Sequence, residues 1–171
     1  MKVSVHSLAV EQVSHTLNQM LVFLDKAVAY AEAKKFDQSV LVNARLAPDM
    51  LPFVKQIQIA SDNAKFGVAR LAGVEAPKFE DNETTIAELI ARVAKTIDYL
   101  QSFKPEQFAG AEERTITIKT PRNTFNFTGL NFLRHWALPN LFFHATTTYA
   151  LLRHGGVEIG KADFLGSVPQ I

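Results

Sequence analysis

The chain has 171 residues, 47% of them hydrophobic and 20% charged, which is enough apolar material to bury one substantial core, and a single domain over 1–171 is expected. Eighteen basic side chains against 17 acidic leave a formal net charge of +1, so no broad field favours nucleic acid or an anionic membrane surface as a partner. The absence of cysteine excludes disulfides, thiolate nucleophiles and sulfur-held zinc or iron, which leaves histidine and carboxylates as metal ligands. Met1 to Val10 holds no long apolar run with a small-residue cleavage site, and no stretch reaches the roughly 20 apolar residues of a membrane span. A cytoplasmic location without membrane insertion is the expectation.

Helical periodicity dominates the first hundred residues. Val10, Val13, Leu17, Met20, Leu24, Ala27 and Ala31 recur in steps of three and four, which predicts a first bundle helix from about Ser7 to Lys34. Asp37 can cap a short turn through Leu41. A second long helix is predicted after Ala47-Pro48, with Asp49 as N-cap and Pro52 at the third helical position, where its missing N–H has no intrahelical partner in any case. It continues through Val54, Ile57, Ser61, Ala64, Val68 and Leu71 to Gly73, a suitable left-handed terminator. Thr85 followed by Glu88 is a capping box that opens a third helix through Ile86, Leu89, Ile90, Val93, Ile97 and Leu100, and Pro105 stops it.

Between Arg114 and Thr128 the apolar period drops to two, with Ile116 and Ile118 and then Phe125 and Phe127 alternating with polar residues around Pro121, Arg122 and Asn123. This predicts a small β-hairpin laid over one end of the bundle, since an isolated two-stranded ribbon needs another surface to be stable. A fourth helix runs from about Thr128 to His154, where Gly155 and Gly156 end it; Pro139 inside it removes a hydrogen bond to residue 135 and predicts a kink before Asn140. The tail from Val157 is expected to be irregular, pinned by Phe164 and Leu165. The fold class is therefore all-α, a four-helix bundle with a hairpin between helices three and four.

Chemistry is concentrated on the fourth helix, whose stripe Leu133, Ala137, Asn140, His144, Thr147, Leu151 is apolar at its ends and polar at its centre. Asn140 and His144, four apart, share one face a turn from each other. One reading makes them part of a site; the other has Asn140 satisfying carbonyls freed by Pro139 and His144 as a hydrogen-bonded core histidine. Gln58 and Asp62 on helix two share the same spacing, and a buried carboxylate requires a cation or a metal. His144 is the partner expected for Asp62, an arrangement that would fix the imidazole tautomer and raise its proton affinity, with surface pairing to Lys65 or Arg70 as the alternative. Thr146, Thr147 and Thr148 can line a polar cavity or bond back to preceding carbonyls. No serine stands in a Gly-x-Ser-x-Gly elbow, and no glycine-rich loop follows a strand.

The segments Arg45-Leu-Ala-Pro-Asp-Met50, Gln56-Ile-Gln-Ile-Ala-Ser-Asp62, Ala69-Arg-Leu-Ala-Gly73, Leu138-Pro-Asn-Leu-Phe-Phe-His144, Tyr149-Ala-Leu-Leu-Arg-His-Gly-Gly-Val157 and Gly160-Lys-Ala-Asp-Phe-Leu-Gly166 resemble an uncharacterised bacterial and fungal family of the DinB/YfiT-like metalloenzyme superfamily. The resemblance spans nearly the whole chain. It implies a DinB-like four-helix bundle, often dimeric, whose relatives hold a divalent metal with one His on helix two and a His-x-x-x-His pair on helix four. Carried over by position, His144 resembles the second His of that pair, Asn140 replaces the first, and Gln58 or Asp62 stands near the remaining position.

Two of three ligands thus depart from the superfamily pattern. A degenerate site with no cofactor is expected, a polar pocket between helices two and four formed by His144, Asn140, Asp62, Gln58 and Thr148 that receives a small molecule. One alternative is a weakly zinc- or nickel-dependent transferase or hydrolase with His144 and Asp62 as ligands. The other is a non-enzymatic structural or regulatory homodimer, with Trp136, Phe142 and Phe143 as interface candidates.

Overall fold

The computed structural model describes residues 3–168. Four long helices form a bundle: α1 (Val13–Lys34), α3 (Phe53–Ala72), α4 (Ile86–Gln101) and α6 (Leu138–His154). α1 and α3 each pack against both α4 and α6 and so stand diagonally across the core. Leu17, Met20, Phe23 and Leu24 of α1, Phe53 and Ile57 of α3, Leu89 and Leu100 of α4 and Leu141 and Leu151 of α6 are buried there. Each such side chain contributes about 1.5–3 kcal/mol by leaving water.

The helix ends follow local chemistry. α1 is entered through a π-helical turn, Ser7–Gln12, and leaves through Lys35 in the left-handed conformation, the single non-glycine residue with positive φ among the described residues. A short α2 (Ser39–Val42) follows, with the Asp37 carboxylate accepting from the Ser39 N–H at 2.7 Å. The expected Asp49 cap of α3 is not used. Pro52 is itself the N-cap, in extended conformation, and its carbonyl accepts the first bonds of a helix that begins at Phe53. A proline imposes φ but keeps its carbonyl, so it serves at the boundary as well as one turn inside. Gly73 ends α3 at φ 74°. α4 opens with the Thr85/Glu88 capping box, and the hydrogen bonds from Thr84 and Thr85 hold the Glu88 carboxyl below its usual pKa.

β1 (Thr115–Lys119) and β2 (Thr124–Thr128) pair antiparallel with Ile118 opposite Phe125. Ile116 and Ile118 are buried, while Phe125 and Phe127 pack on Trp136. From the hairpin the chain passes through α5 (Gly129–Phe132) and a π-helical turn, Leu133–Ala137, directly into α6. In that wider turn Leu138 N–H bonds five residues back to Leu133, so Pro139 stands in the first turn of α6 rather than inside a continuous α-helix. The tail is more ordered than its composition suggests. α7 (Lys161–Leu165) lays Phe164 against Phe23 and Tyr149, and the Leu165 carbonyl lies 2.7 Å from His15 Nε2. No helix among the described residues is long and apolar enough to cross a membrane.

Candidate functional site

α6 crosses α3 with His144 turned into the seam, the residue only 9% exposed. Its Nδ1 lies 2.8 Å from Oε1 of Gln56, a side chain of α3 that is itself buried. The direction of this bond is set one step away: Gln56 Nε2 donates to the Leu51 carbonyl at 3.0 Å, and a carbonyl can only accept. The Gln56 oxygen therefore faces the imidazole, and His144 Nδ1 carries the proton. Nε2 keeps its lone pair. It has no hydrogen-bond partner among the described residues and is not one of the sealed polar atoms, so solvent reaches it. The ring of Phe143 stands edge-on at 5.1 Å, and burial pushes the imidazole below the ordinary histidine pKa of 6.5.

Three neighbouring polar side chains of α6, Asn140, Thr147 and Thr148, bond back to carbonyls of the preceding turn. Asn140 Nδ2 donates to the Trp136 carbonyl at 2.7 Å, at the exit of the π-helical turn, and Asn140 is half-buried. Thr147 Oγ1 donates to Phe143 O at 2.7 Å and Thr148 Oγ1 to His144 O at 2.8 Å. Both threonines are buried, so this back-bonding satisfies hydroxyls that otherwise cost about 1–3 kcal/mol each.

Asp62 and Gln58 do not join His144. On a helix with 3.6 residues per turn, Gln58 is rotated roughly 200° from Gln56; Gln56 faces α6, and Gln58 and Asp62 face α4 and the connection at 73–85. The expected Asp62–His144 contact is replaced by Asp62 Oδ1 at 3.0 Å from both Lys65 Nζ and Arg92 Nη2. Gln58 Nε2 donates to Glu83 at 2.8 Å. Of the five residues expected in one pocket, His144, Asn140 and Thr148 share α6, and Gln58 and Asp62 belong to the opposite side of α3.

That opposite side is organised by Arg92, whose side chain is 2% exposed and meets Asp62, Asp81 and Glu83 at 2.9–3.0 Å and the Glu80 carbonyl at 3.0 Å. Lys65, 1% exposed, lies over the rings of Phe66 and Phe79. Nothing in the local pattern around Arg92 announced this role, because its partners are 9 to 30 residues away. Gln56 left a fainter trace: Phe53, Gln56, Ala60 and Ala64 form an inward stripe with one amide in it. Two large clefts, about 440 Å³ between the connection and α4 and about 500 Å³ beside Asp37 and Thr84, are not lined by His144.

The donor set near His144 is one imidazole and two amides, with the nearest expected carboxylate committed to Lys65 and Arg92. Among the described residues no three His, Cys, Asp or Glu side chains are grouped so as to hold a metal ion. This set does not fit zinc or nickel, which bind through imidazole, thiolate or carboxylate.

Among solved structures, the chain is similar to a DinB family member protein from Shewanella denitrificans, with 48% identity, a TM-score of 0.90, and 97% of this chain and 94% of the other covered. No curated protein matches it. The model of a domain of unknown function, DUF1993, matches residues 5–165, and the chain belongs to that family, built as a DinB-like helical bundle.

Proposed function

We propose that this bundle carries a degenerate metal site, in which His144, supported by Gln56 and flanked by Asn140, receives a small molecule at the seam of α3 and α6. The bond from His144 Nδ1 to Gln56 carries the reading: it holds the ring in one orientation with a free nitrogen toward solvent, while no carboxylate completes a ligand set. A second reading, weak divalent-metal binding, rests on the same bond, since a metal-bound imidazole commonly anchors its other nitrogen in this way. Asp62 has no part in either.

The expected partner is a second copy of the chain, an inference supported by Phe143, 59% exposed beside His144; of the other two interface candidates, Phe142 is half-buried and Trp136 is half-buried against Phe125 and Phe127. One untagged preparation tests these readings. We expect less than stoichiometric zinc or nickel, a dimer mass in sedimentation, and thermal-shift responses to small molecules that disappear in His144→Ala. Stoichiometric metal that is lost in His144→Ala would overturn the degenerate-site reading, and a monomer mass at every concentration would remove the dimer.

A further inference from the structure

The connection 73–85 is fastened to the bundle almost entirely by charge. Residues 75–83 make no main-chain to main-chain hydrogen bond, and none of 73–85 joins the apolar core. The Glu83 side chain, 10% exposed, accepts from Arg92 Nη1 at 2.9 Å through one carboxylate oxygen and from Gln58 Nε2 at 2.8 Å through the other. Asp81 reaches Arg92 Nη2 at 3.0 Å, and the Phe79 ring lies 4.1 Å from Lys65 Nζ and 4.3 Å from Lys95 Nζ. The seal is incomplete. Arg92 Nε and Gln58 Oε1 are buried without a hydrogen-bond partner among the described residues, and a cleft of about 440 Å³ lies between the connection and α4.

We propose that the connection is a lid, and that Glu83 occupies the place of a small organic acid whose carboxylate binds Arg92 and Gln58 when the lid lifts. Those two donors stand on α4 and α3, which pack directly on each other, so their spacing does not depend on the connection. They offer two N–H groups, one of them charged, to the two oxygens of one planar carboxylate. Charge selects the same class. With the lid in place Arg92 and Lys65 meet Asp62, Asp81 and Glu83; with it lifted, two buried cations face Asp62 alone. The other carboxylates at the cleft are engaged, Glu88 in its capping box and Glu80 with Lys78 at 3.0 Å. Lifting also returns Arg92 Nε and Gln58 Oε1 to water, which offsets part of the cost of parting the ion pairs. This site faces away from His144 across α3, and the reading of His144 stands or falls without it.

The test uses the full chain, with binding followed on the Arg92 side-chain Nε–H signal in ¹H–¹⁵N spectra and with chloride added to hold ionic strength constant. Acetate should shift that signal, and Glu83→Gln should bind acetate about tenfold more tightly than the wild type, because the internal competitor has lost its charge. Phe79→Ala, which loosens the lid and touches neither donor, should also bind acetate more tightly. Adding Gln58→Leu to Glu83→Gln should remove the gain, and methylguanidinium should leave the signal unmoved. Glu83→Gln binding acetate no better than the wild type overturns the role of Glu83. Unchanged affinity in Phe79→Ala overturns the lid, and decides the matter if Glu83→Gln does not fold. Methylguanidinium or phosphate binding as tightly as acetate overturns the ligand class.

Discussion

The two faces of α3 solve the problem of buried polarity in opposite ways. Toward α4 and the connection, charges are buried in a network: Arg92 and Lys65 are neutralised by Asp62, Asp81 and Glu83, and each ion has a partner within 3.0 Å. Toward α6 the polar groups are neutral: Asn140 donates to the Trp136 carbonyl, and His144 bonds to the Gln56 side chain, which in turn donates to the Leu51 carbonyl. The ionic network neutralises its charges but leaves Arg92 Nε and Gln58 Oε1 buried without a hydrogen-bond partner among the described residues, and a cleft of about 440 Å³ opens beside it; the neutral relay ends at the imidazole of His144.

The strongest way to break this contrast is to remove Arg92. Arg92→Met should destabilise the fold by about 3–5 kcal/mol in urea unfolding, because three carboxylates are left near one another with Lys65 as the only buried cation beside them among the described residues. Arg92→Lys should recover little of this, since one ammonium cannot bridge partners on both α3 and the connection. A loss below about 1 kcal/mol would mean that the network is a surface feature.

A smaller effect is expected on the neutral side. The folded chain holds His144 below its ordinary pKa of 6.5 by desolvation, so the unfolded chain binds the proton more readily. The stability contributed by the neutral ring is complete above about pH 6.5 and is lost as the pH falls through the folded-state value. His144→Gln should flatten the unfolding free energy between about pH 5 and 7 relative to the wild type. An unchanged slope would place the titrating group elsewhere. The smallest effect belongs to the rim of the charged side, where Lys55 and Asp81, both about 40% exposed, stand 3.4 Å apart. Lys55→Met should change stability by no more than about 0.5 kcal/mol, and a larger loss would show that the rim is part of the buried network.

Much of the architecture was legible in the residue pattern because it depends on neighbours within four positions. The stripes of α1 and α4, the Thr85/Glu88 box, the Gly73 stop and the alternation of Ile116 and Ile118 all act at that range. One local reading still missed. Asp49 has the right side chain for a cap, yet Pro52 takes the position because the chain enters α3 in extended form.

The site was legible only in half. His144 and Asn140 stood out as polar residues in an apolar stripe, which pointed to an imidazole inside the protein, and the structure buries it. The partner of that imidazole did not stand out: Gln56 and Asp62 lie on one helix, six residues apart, and which of them meets α6 depends on how α3 is rotated in the bundle. Hydrophobic periodicity and capping act along the chain, so the amino-acid order determined the helices, the hairpin and the inward position of His144. Helix rotation and ion pairing act between segments far apart in the chain, 30 residues for Asp62 and Arg92 and 88 for Gln56 and His144, so only tertiary packing could assign Asp62 to Arg92 and His144 to Gln56.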